Sequence, residues 1–294
     1  MKAKIADRIA TVVFYIIALL LVLLLAGLLG YILLKGLSHI SWHFITSPPE
    51  SFQAGGGIGP QLFNSLYLLV LTMLISVPLS LGAGIYMAEY AKKNIWTNIL
   101  RTVIEVLSSL PSIVVGLFGF LFFVISMGWG FSILSGALAL TLFNLPLMVR
   151  VVEDSIRGVP SSQREAGLAL GVSKWETIKH VLLPAALPGI ITGIILASGR
   201  VFGEAAALIY TAGMSSPNLD FTNWNPFSPT SPLNPLRPAE TLAVHIWKVN
   251  GEAVIPDVNA VSSGASAVLV LFILVFNVSA RWIGKRIYRR MTSS

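Results

Sequence analysis

The 294-residue chain is 55% apolar and only 11% charged, against about 25% charged in soluble domains, and its mean hydropathy of +0.79 excludes an ordinary soluble domain. It has no cysteine, which removes disulfides, thiolate metal sites and cysteine nucleophiles together. The net charge of +7 suggests nucleic acid, yet a membrane chain gains such an excess by keeping Lys and Arg on its cytoplasmic side, so the distribution decides.

Ile9 to Leu34 carries no charge and, at about 1.5 Å per residue, exceeds the roughly 30 Å of bilayer hydrocarbon. It predicts a first span. A secretory signal is the rival reading, but its apolar region is shorter and a small-residue cleavage pattern follows, which Gly36-Leu37-Ser38-His39 does not supply. The approach Gly55-Gly56-Gly57-Ile58-Gly59-Pro60 breaks regular structure before a second span, Asn64 to Ala88. Val106 to Val149 is uncharged again and long enough for two helices joined near Met127-Gly128-Trp129-Gly130. A fifth span is predicted from Pro184 to Ala212, and a sixth from Val261 to Ala280 ahead of a basic tail.

Six spans put both termini on one side. With that side inward, Lys2, Lys4, Arg8, Lys92, Lys93, Arg101, Arg150, Arg157, Arg164, Lys174, Lys179, Arg281, Lys285, Arg286, Arg289 and Arg290 are cytoplasmic, sixteen of the twenty Lys and Arg. Lys35, Arg237 and Lys248 fall outside and Arg200 within the bilayer. The basic excess therefore reads as topology, not as a nucleic-acid footprint.

The inner connection, Glu153 to Leu183, is patterned. Ser162-Gln163-Arg164-Glu165 has the capping-box form and predicts a helix start. Gly171 predicts its stop in the left-handed conformation. Ser173-Lys174-Trp175-Glu176 is a second capping box, starting a short helix that runs through Ile178 and Val181 to Pro184. A capped connector without a partner is one reading of this loop, and a docking surface for a cytoplasmic protein, anchored by Trp175, is another. A DNA-reading helix pair is disfavoured, since it would have to meet DNA against the membrane.

Glu165-Ala166-Gly167, then Gly171, then Val181-Leu182-Leu183-Pro184 resembles the EAA signature of ABC-importer permeases in its spacing throughout, with Gly167 and Val181 as departures. The resemblance implies that Glu165, Ala166, Gly171, Lys174, Trp175, Leu183 and Pro184 form a coupling helix region seated on a separate ATPase subunit. No Gly-x-x-x-x-Gly-Lys-Ser/Thr loop occurs in the chain, so it lacks that device for binding ATP.

In the fifth span, Gly189, Gly193 and Ala197 form one small-residue ladder, and Gly199, Gly203 and Ala207 a second, a spacing that permits close helix approach. Arg200 and Glu204 lie beside them, one turn apart on the same predicted helix. An arginine at a helix centre costs about 2.5–3.5 kcal/mol on insertion scales and calls for a partner. One reading is an ion pair with Glu204 that merely permits burial; the other is that Arg200 lines a path and offers its donor fork to an oxyanion. Glu89, Glu105, Glu153 and Asp154 read as structural charges near span ends. His39, His43, His180 and His245 lack metal-ligand spacing.

The run Leu183-Pro184-Ala185-Ala186-Leu187-Pro188-Gly189-Ile190, with Gly199-Arg200-Val201-Phe202-Gly203-Glu204, resembles the phosphate-specific ABC permeases, the PstA type more than the PstC type. The likeness extends to Gly57-Ile58-Gly59-Pro60 and Glu89-Tyr90-Ala91, while Ala205-Ala206-Ala207 departs from the commoner pattern. It implies Arg200 and Glu204 on a substrate path for inorganic phosphate. The outer connection, Gly213 to Ala260, is proline-rich, and Leu242, Ile246 and Val249 predict a short helix over 239–249. A cap over the bundle is one reading of this side; the resemblance implies that it receives a phosphate-loaded binding protein, and a shared role in capping and docking is expected.

The expected protein is an all-α integral membrane protein with six transmembrane helices and the type I ABC importer permease fold, its cytoplasmic coupling helices lying between spans four and five. Residues 1–60 form a first span and external loop, 61–284 the permease core, and 285–294 a basic tail. It is a transporter subunit of a bacterial or archaeal cytoplasmic membrane, not an enzyme. A PstC-like permease, a PstB-like ATPase pair holding ATP and magnesium, and a PstS-like binding protein are the implied partners. A permease for sulfate or molybdate, and a secondary transporter driven by an ion gradient, are the rival functions.

Overall fold

The structure, a computed structural model, describes residues 2–50, 53–92, 94–169, 171–252 and 255–292. An apolar run without proline carries α1 (Lys2–Gly36). Residues 4–29 are exposed, and burial begins at Gly30. A short α2 (Trp42–Thr46) follows, capped by Ser41, whose Oγ accepts from Phe44 N at 3.1 Å. α3 (Gly59–Ile85) opens with Pro60 in its first turn, where the missing N–H costs no bond. It runs on through a wide turn, Tyr86–Tyr90.

The third span differs from the single helix expected between Val106 and Met127. α4 (Ile95–Ser109) and α5 (Ser112–Gly119, continuing to Ser126) meet at 102°. Pro111 is the cause: it drives the preceding residue out of the helical region, and Leu110 is extended at φ −67°, ψ 135°. α4 then lies crosswise, with Ile95, Trp96, Ile99 and Val103 exposed. α6 (Ile133–Arg157) starts at Ser132, whose Oγ accepts from Ser135 N at 3.2 Å.

Beyond α6 come α7 (Ser161–Ala169), α8 (Lys174–Thr177), α9 (Leu183–Gly203), α10 (Ala206–Thr211), α11 (Leu242–Glu252) and α12 (Val258–Thr292). Five of the described helices are long and apolar enough to cross a membrane, or six if the bent pair counts as one span, the number expected. Two boundaries move. Helix α6 continues to Arg157 and the next long helix begins at Lys174, so the inner connection is shorter than 153–183 and Glu153 is a helical residue. The fifth span is not one helix to Ala212: it breaks after Gly203 and resumes as α10.

The central core joins α3, α6, α9 and α10 through Leu68, Leu140, Val201, Phe202 and Leu208. At the opposite end of α6 a second cluster, Val152, Ile156, Ile178, Leu182 and Ile190, ties it to α9. Small residues set this approach: a Cβ on Gly189 would stand 2.4 Å from Ser155 Oγ, and one on Gly193 2.3 Å from Val151 Cγ1. The second ladder does no such packing, because nothing lies within 4 Å of a Cβ on Gly199 or Gly203. Ala207, its third member, belongs to α10 and is buried.

Two ends result. The α7–α8 elbow lies at one, with the ends of α3 and α6 and the start of α9. The 213–241 loop lies at the other, where Ile133 N donates to Arg237 O at 3.0 Å and Ala239 N to Ala212 O at 3.0 Å. Arg101, Arg157, Arg164, Lys174, Arg281 and Lys285 gather at the elbow end; Lys93, assigned to that side by sequence, lies outside the described residues.

Candidate functional site

The elbow is built by local rules. Pro160 O accepts from Gln163 N at 3.1 Å and starts α7 at Ser161, one residue early, so Ser162 sits inside the helix and not at its cap. Gly171 has φ +74°, the left-handed conformation a helix stop favours in glycine, as expected. Ser173 caps α8, its Oγ accepting from Glu176 N at 3.2 Å. Only half of that capping box forms, because the Glu176 carboxylate pairs with His180 Nδ1 at 2.8 Å. The second helix does not stop at Pro184. Leu183 N donates back to Ile178 O, a wide turn that carries the chain past a proline unable to donate. Lys174 to Gly203 is therefore one helical rod.

Glu89 anchors the elbow. Its side chain is 4% exposed and accepts from Arg164, while Lys174 lies at 3.9 Å from its other oxygen and also donates to the Glu89 carbonyl. Lys174 Nζ stands 4.7 Å from the Tyr90 ring centroid, and Arg157 donates to Met87 O at 3.1 Å. Buried charge persists only when paired, so this cluster locks the end of α3 to the elbow. Glu153 is likewise buried, paired with Arg101 of α4 and with Arg157 at 3.0 Å. Gly167 packs on Thr177, where a Cβ would meet Cγ2 at 2.7 Å. The opposite face is open: Glu165, Ala166, Gly171, Val172 and Trp175 are exposed, Trp175 at 53%. Leu183 and Pro184 are half-buried at the root of the rod, Leu183 against the Ile156 and Ile178 cluster.

Arg200 and Glu204 do not form the ion pair that was one reading of them. Glu204 sits past the end of α9, extended at φ −76°, ψ 128°, and its Oε1 accepts from Ala207 N at 3.2 Å. The break destroys the one-turn register, and the carboxylate instead satisfies a free N–H at the start of α10. Among the described residues Arg200 makes no ion pair. Its guanidinium lies 3.7 Å from the centroid of the buried Phe143 ring, a contact worth about 0.5–2 kcal/mol. Arg200 is exposed beside the unpacked Gly199 and Gly203. A planar fork of donors without an acceptor among the described residues, held over a ring, suits a tetrahedral oxyanion.

A buried polar network at the loop end escaped the sequence reading. Arg237, 3% exposed, donates to Asn64 Oδ1 at 2.8 Å and to Pro232 O at 2.9 Å; burial pulls its pKa down to about 10. Glu240, also 3% exposed, meets His245 Nδ1 at 3.2 Å, Gln61 Nε2 at 3.0 Å and Lys248 Nζ at 3.6 Å. Burial pushes its carboxyl up, but His245, Gln61 and Lys248 outweigh burial and hold it below the ordinary range. The network staples the loop to α3. Gln61, Asn64 and Ser65, polar residues at helical spacing on entry to an apolar span, were its signal. α11 covers this end, with Leu242 and Val249 buried, close to the helix expected there.

A bundle of apolar helices of membrane-spanning length with a charge-pinned elbow at one end is the frame of a multi-span membrane component. The chain belongs to the family of binding-protein-dependent transport system inner membrane components, which matches residues 80–293. It is 59% identical over 294 residues, the full length of both chains, to a probable ABC transporter permease protein, YqgI, of Bacillus subtilis. It is 34% identical over 232 residues, 76% of this chain and 75% of the other, to the phosphate transport system permease protein PstA 1 of Mycobacterium tuberculosis. Solved structures with the same fold include a bacterial alginate ABC transporter bound to an alginate pentasaccharide-loaded periplasmic protein, at TM-score 0.66 and 14% identity over 97% of this chain and 96% of that one. The inward-facing MetNI methionine ABC transporter matches at TM-score 0.56 and 20% identity over 80% and 94%. The fold is that of a type I ABC importer permease, and the chain is a permease subunit, not an enzyme.

Proposed function

We propose that this chain passes inorganic phosphate across the cytoplasmic membrane as the PstA-type permease of an ATP-driven importer. It works beside a PstC-like permease, a PstB-like ATPase pair that holds ATP and magnesium, and a PstS-like binding protein at the loop end. The observation that carries the substrate is Arg200, a cation without a carboxylate partner among the described residues, steadied by Phe143 on the open face of α9. The likeness to PstA 1 supports the same substrate.

Coupling follows from the rod. The exposed face of Glu165, Ala166, Gly171 and Trp175 receives the ATPase, with Lys174, Leu183 and Pro184 behind it. The helix from Lys174 to Gly203 has 30 residues, about 45 Å at the helical rise. A push at the elbow reaches Arg200 along it, and reaches α3 through Glu89. The elbow and both termini face the cytoplasm, in line with the crowding of Arg and Lys at that end.

The test is uptake of radiolabelled phosphate by the whole complex in vesicles, with ATP on the elbow side and excess sulfate or molybdate as competitors. Phosphate uptake that needs ATP hydrolysis and resists both competitors is the expected result. Equal competition would assign another oxyanion, and uptake driven by an ion gradient without ATP would overturn the coupling.

A further inference from the structure

A groove between α9 and α12, at the elbow end, has no role in the reading above. Its floor is a tight helix contact, where a Cβ on Gly284 would stand 2.6 Å from Ile191 Cγ2. Pro188, Ile191 and Ile195 form an apolar wall, Arg281 and Lys285 a basic one, around a space of about 210 Å³. Arg281 and Lys285 are one turn apart, so they share a face of α12. Both are exposed, and among the described residues neither makes an ion pair. The walls can supply no carboxylate: α9 has none, and the chain has no Asp or Glu after Asp257.

The groove sits where the apolar stretch of α12 gives way to its basic tail, at the level of the bilayer edge. Lys and Arg collect at that edge in many proteins simply to stay inside. Such a charge needs no trough beside it, and here an apolar trough runs along α9 directly next to two unneutralised cations. Arg286 differs: its guanidinium stands 5.3 Å from the Trp282 ring centroid, and it does not line the groove. Basic pockets between membrane helices on the cytoplasmic side bind anionic headgroups.

We propose that this groove holds one anionic phospholipid, its headgroup phosphate between Arg281 and Lys285 and part of an acyl chain along Pro188, Ile191 and Ile195. The lipid would clasp α12 to α9 at the Gly284–Ile191 contact.

The assembled complex and the purified full chain, both in mild detergent, are titrated with phosphatidylglycerol or phosphatidylcholine, and bound lipid is counted by native mass spectrometry. The expected result is retention of one phosphatidylglycerol at about tenfold lower lipid than phosphatidylcholine. Arg281→Gln with Lys285→Gln abolishes that preference, and Arg286→Gln with Arg289→Gln leaves it. Lys285→Gln alone, which removes no packing, carries the test should the double variant fail to fold; it is expected to weaken the preference severalfold. Equal retention of both lipids overturns the proposal, as does an equal loss from the Arg286 and Arg289 pair, which would make the effect one of overall tail charge. Displacement of the lipid by millimolar inorganic phosphate would assign the cations to the free anion. A preference present in the isolated chain and absent from the complex would put a protein surface in the groove.

Discussion

Gly171→Ala isolates the geometry of the elbow from its chemistry. At φ +74° an L-residue pays about 1–2 kcal/mol for the left-handed conformation. Nothing lies within 4 Å of the added Cβ, so no steric clash adds to that cost. The elbow is short and can shed the strain by fraying the last turn of α7, while Glu89 still pins its base through Arg164 and Lys174. On the proposal that the ATPase docks on the elbow, docking must then restore the bend, so the strain is expected in the affinity for the ATPase and not in global stability. About 1–2 kcal/mol is roughly a 5–30-fold loss. The assay is binding of labelled ATPase to the detergent-purified chain, with melting temperature measured in parallel. Gly171→Asn, which tolerates the left-handed region better, is expected to recover much of the affinity. Alanine binding as tightly as glycine, or asparagine failing as badly as alanine, would refute the reasoning.

Glu89→Gln leaves Arg164 and Lys174 without their buried counter-charge; both cations are partly exposed, so the loss should fall near the low end of the buried-pair range, about 3 kcal/mol. Protease cutting at the elbow should quicken and the melting temperature fall, and a variant within about 1 °C of wild type would contradict the anchor. The lowered Glu240 pKa makes its stabilisation complete above the ordinary value of 4.5 and lost as pH falls through the lower folded value; melting should therefore steepen below pH 4.5 in wild type and not in Glu240→Gln, and parallel slopes would contradict this. Because the chain has no cysteine, Ser161→Cys and Thr222→Cys give clean single labels. An impermeant maleimide on right-side-out vesicles should modify Thr222→Cys at once and Ser161→Cys only after permeabilisation, and the reverse pattern would invert the topology.

The crossings were legible because uncharged runs of bilayer length have few alternatives, and Gly171 and Ser173 because helix ends obey local rules. The bend at Leu110 was signalled by Pro111, but counting charges from Val106 to Val149 passes over it. The break at Glu204 was hidden for a better reason. Gly199 to Ala207 reads as one helix, and the contact that ends it is remote: α10 packs on α5, where a Cβ on Gly116 would stand 2.7 Å from Ala207 Cα. The Glu89 anchor joins residues 75 apart in sequence and the Arg237–Asn64 bond residues 173 apart. Local spacing shows at most that the entry to α3 carries polar residues, Gln61, Asn64 and Ser65; it does not show which distant charges they meet, so the pairings that tie the elbow and the outer loop to α3 emerge only from the fold.

The central claim is that the Arg200 fork handles the transported anion, and the direct measurement is phosphate uptake by complexes carrying Arg200→Gln or Arg200→Lys, matched for assembly and ATP hydrolysis. Uptake should vanish in Arg200→Gln and survive weakly in Arg200→Lys, which keeps the charge but not the planar donors, with both complexes intact. Wild-type uptake by Arg200→Gln would put the path elsewhere, and failure of that chain to assemble would show that the arginine serves packing on Phe143.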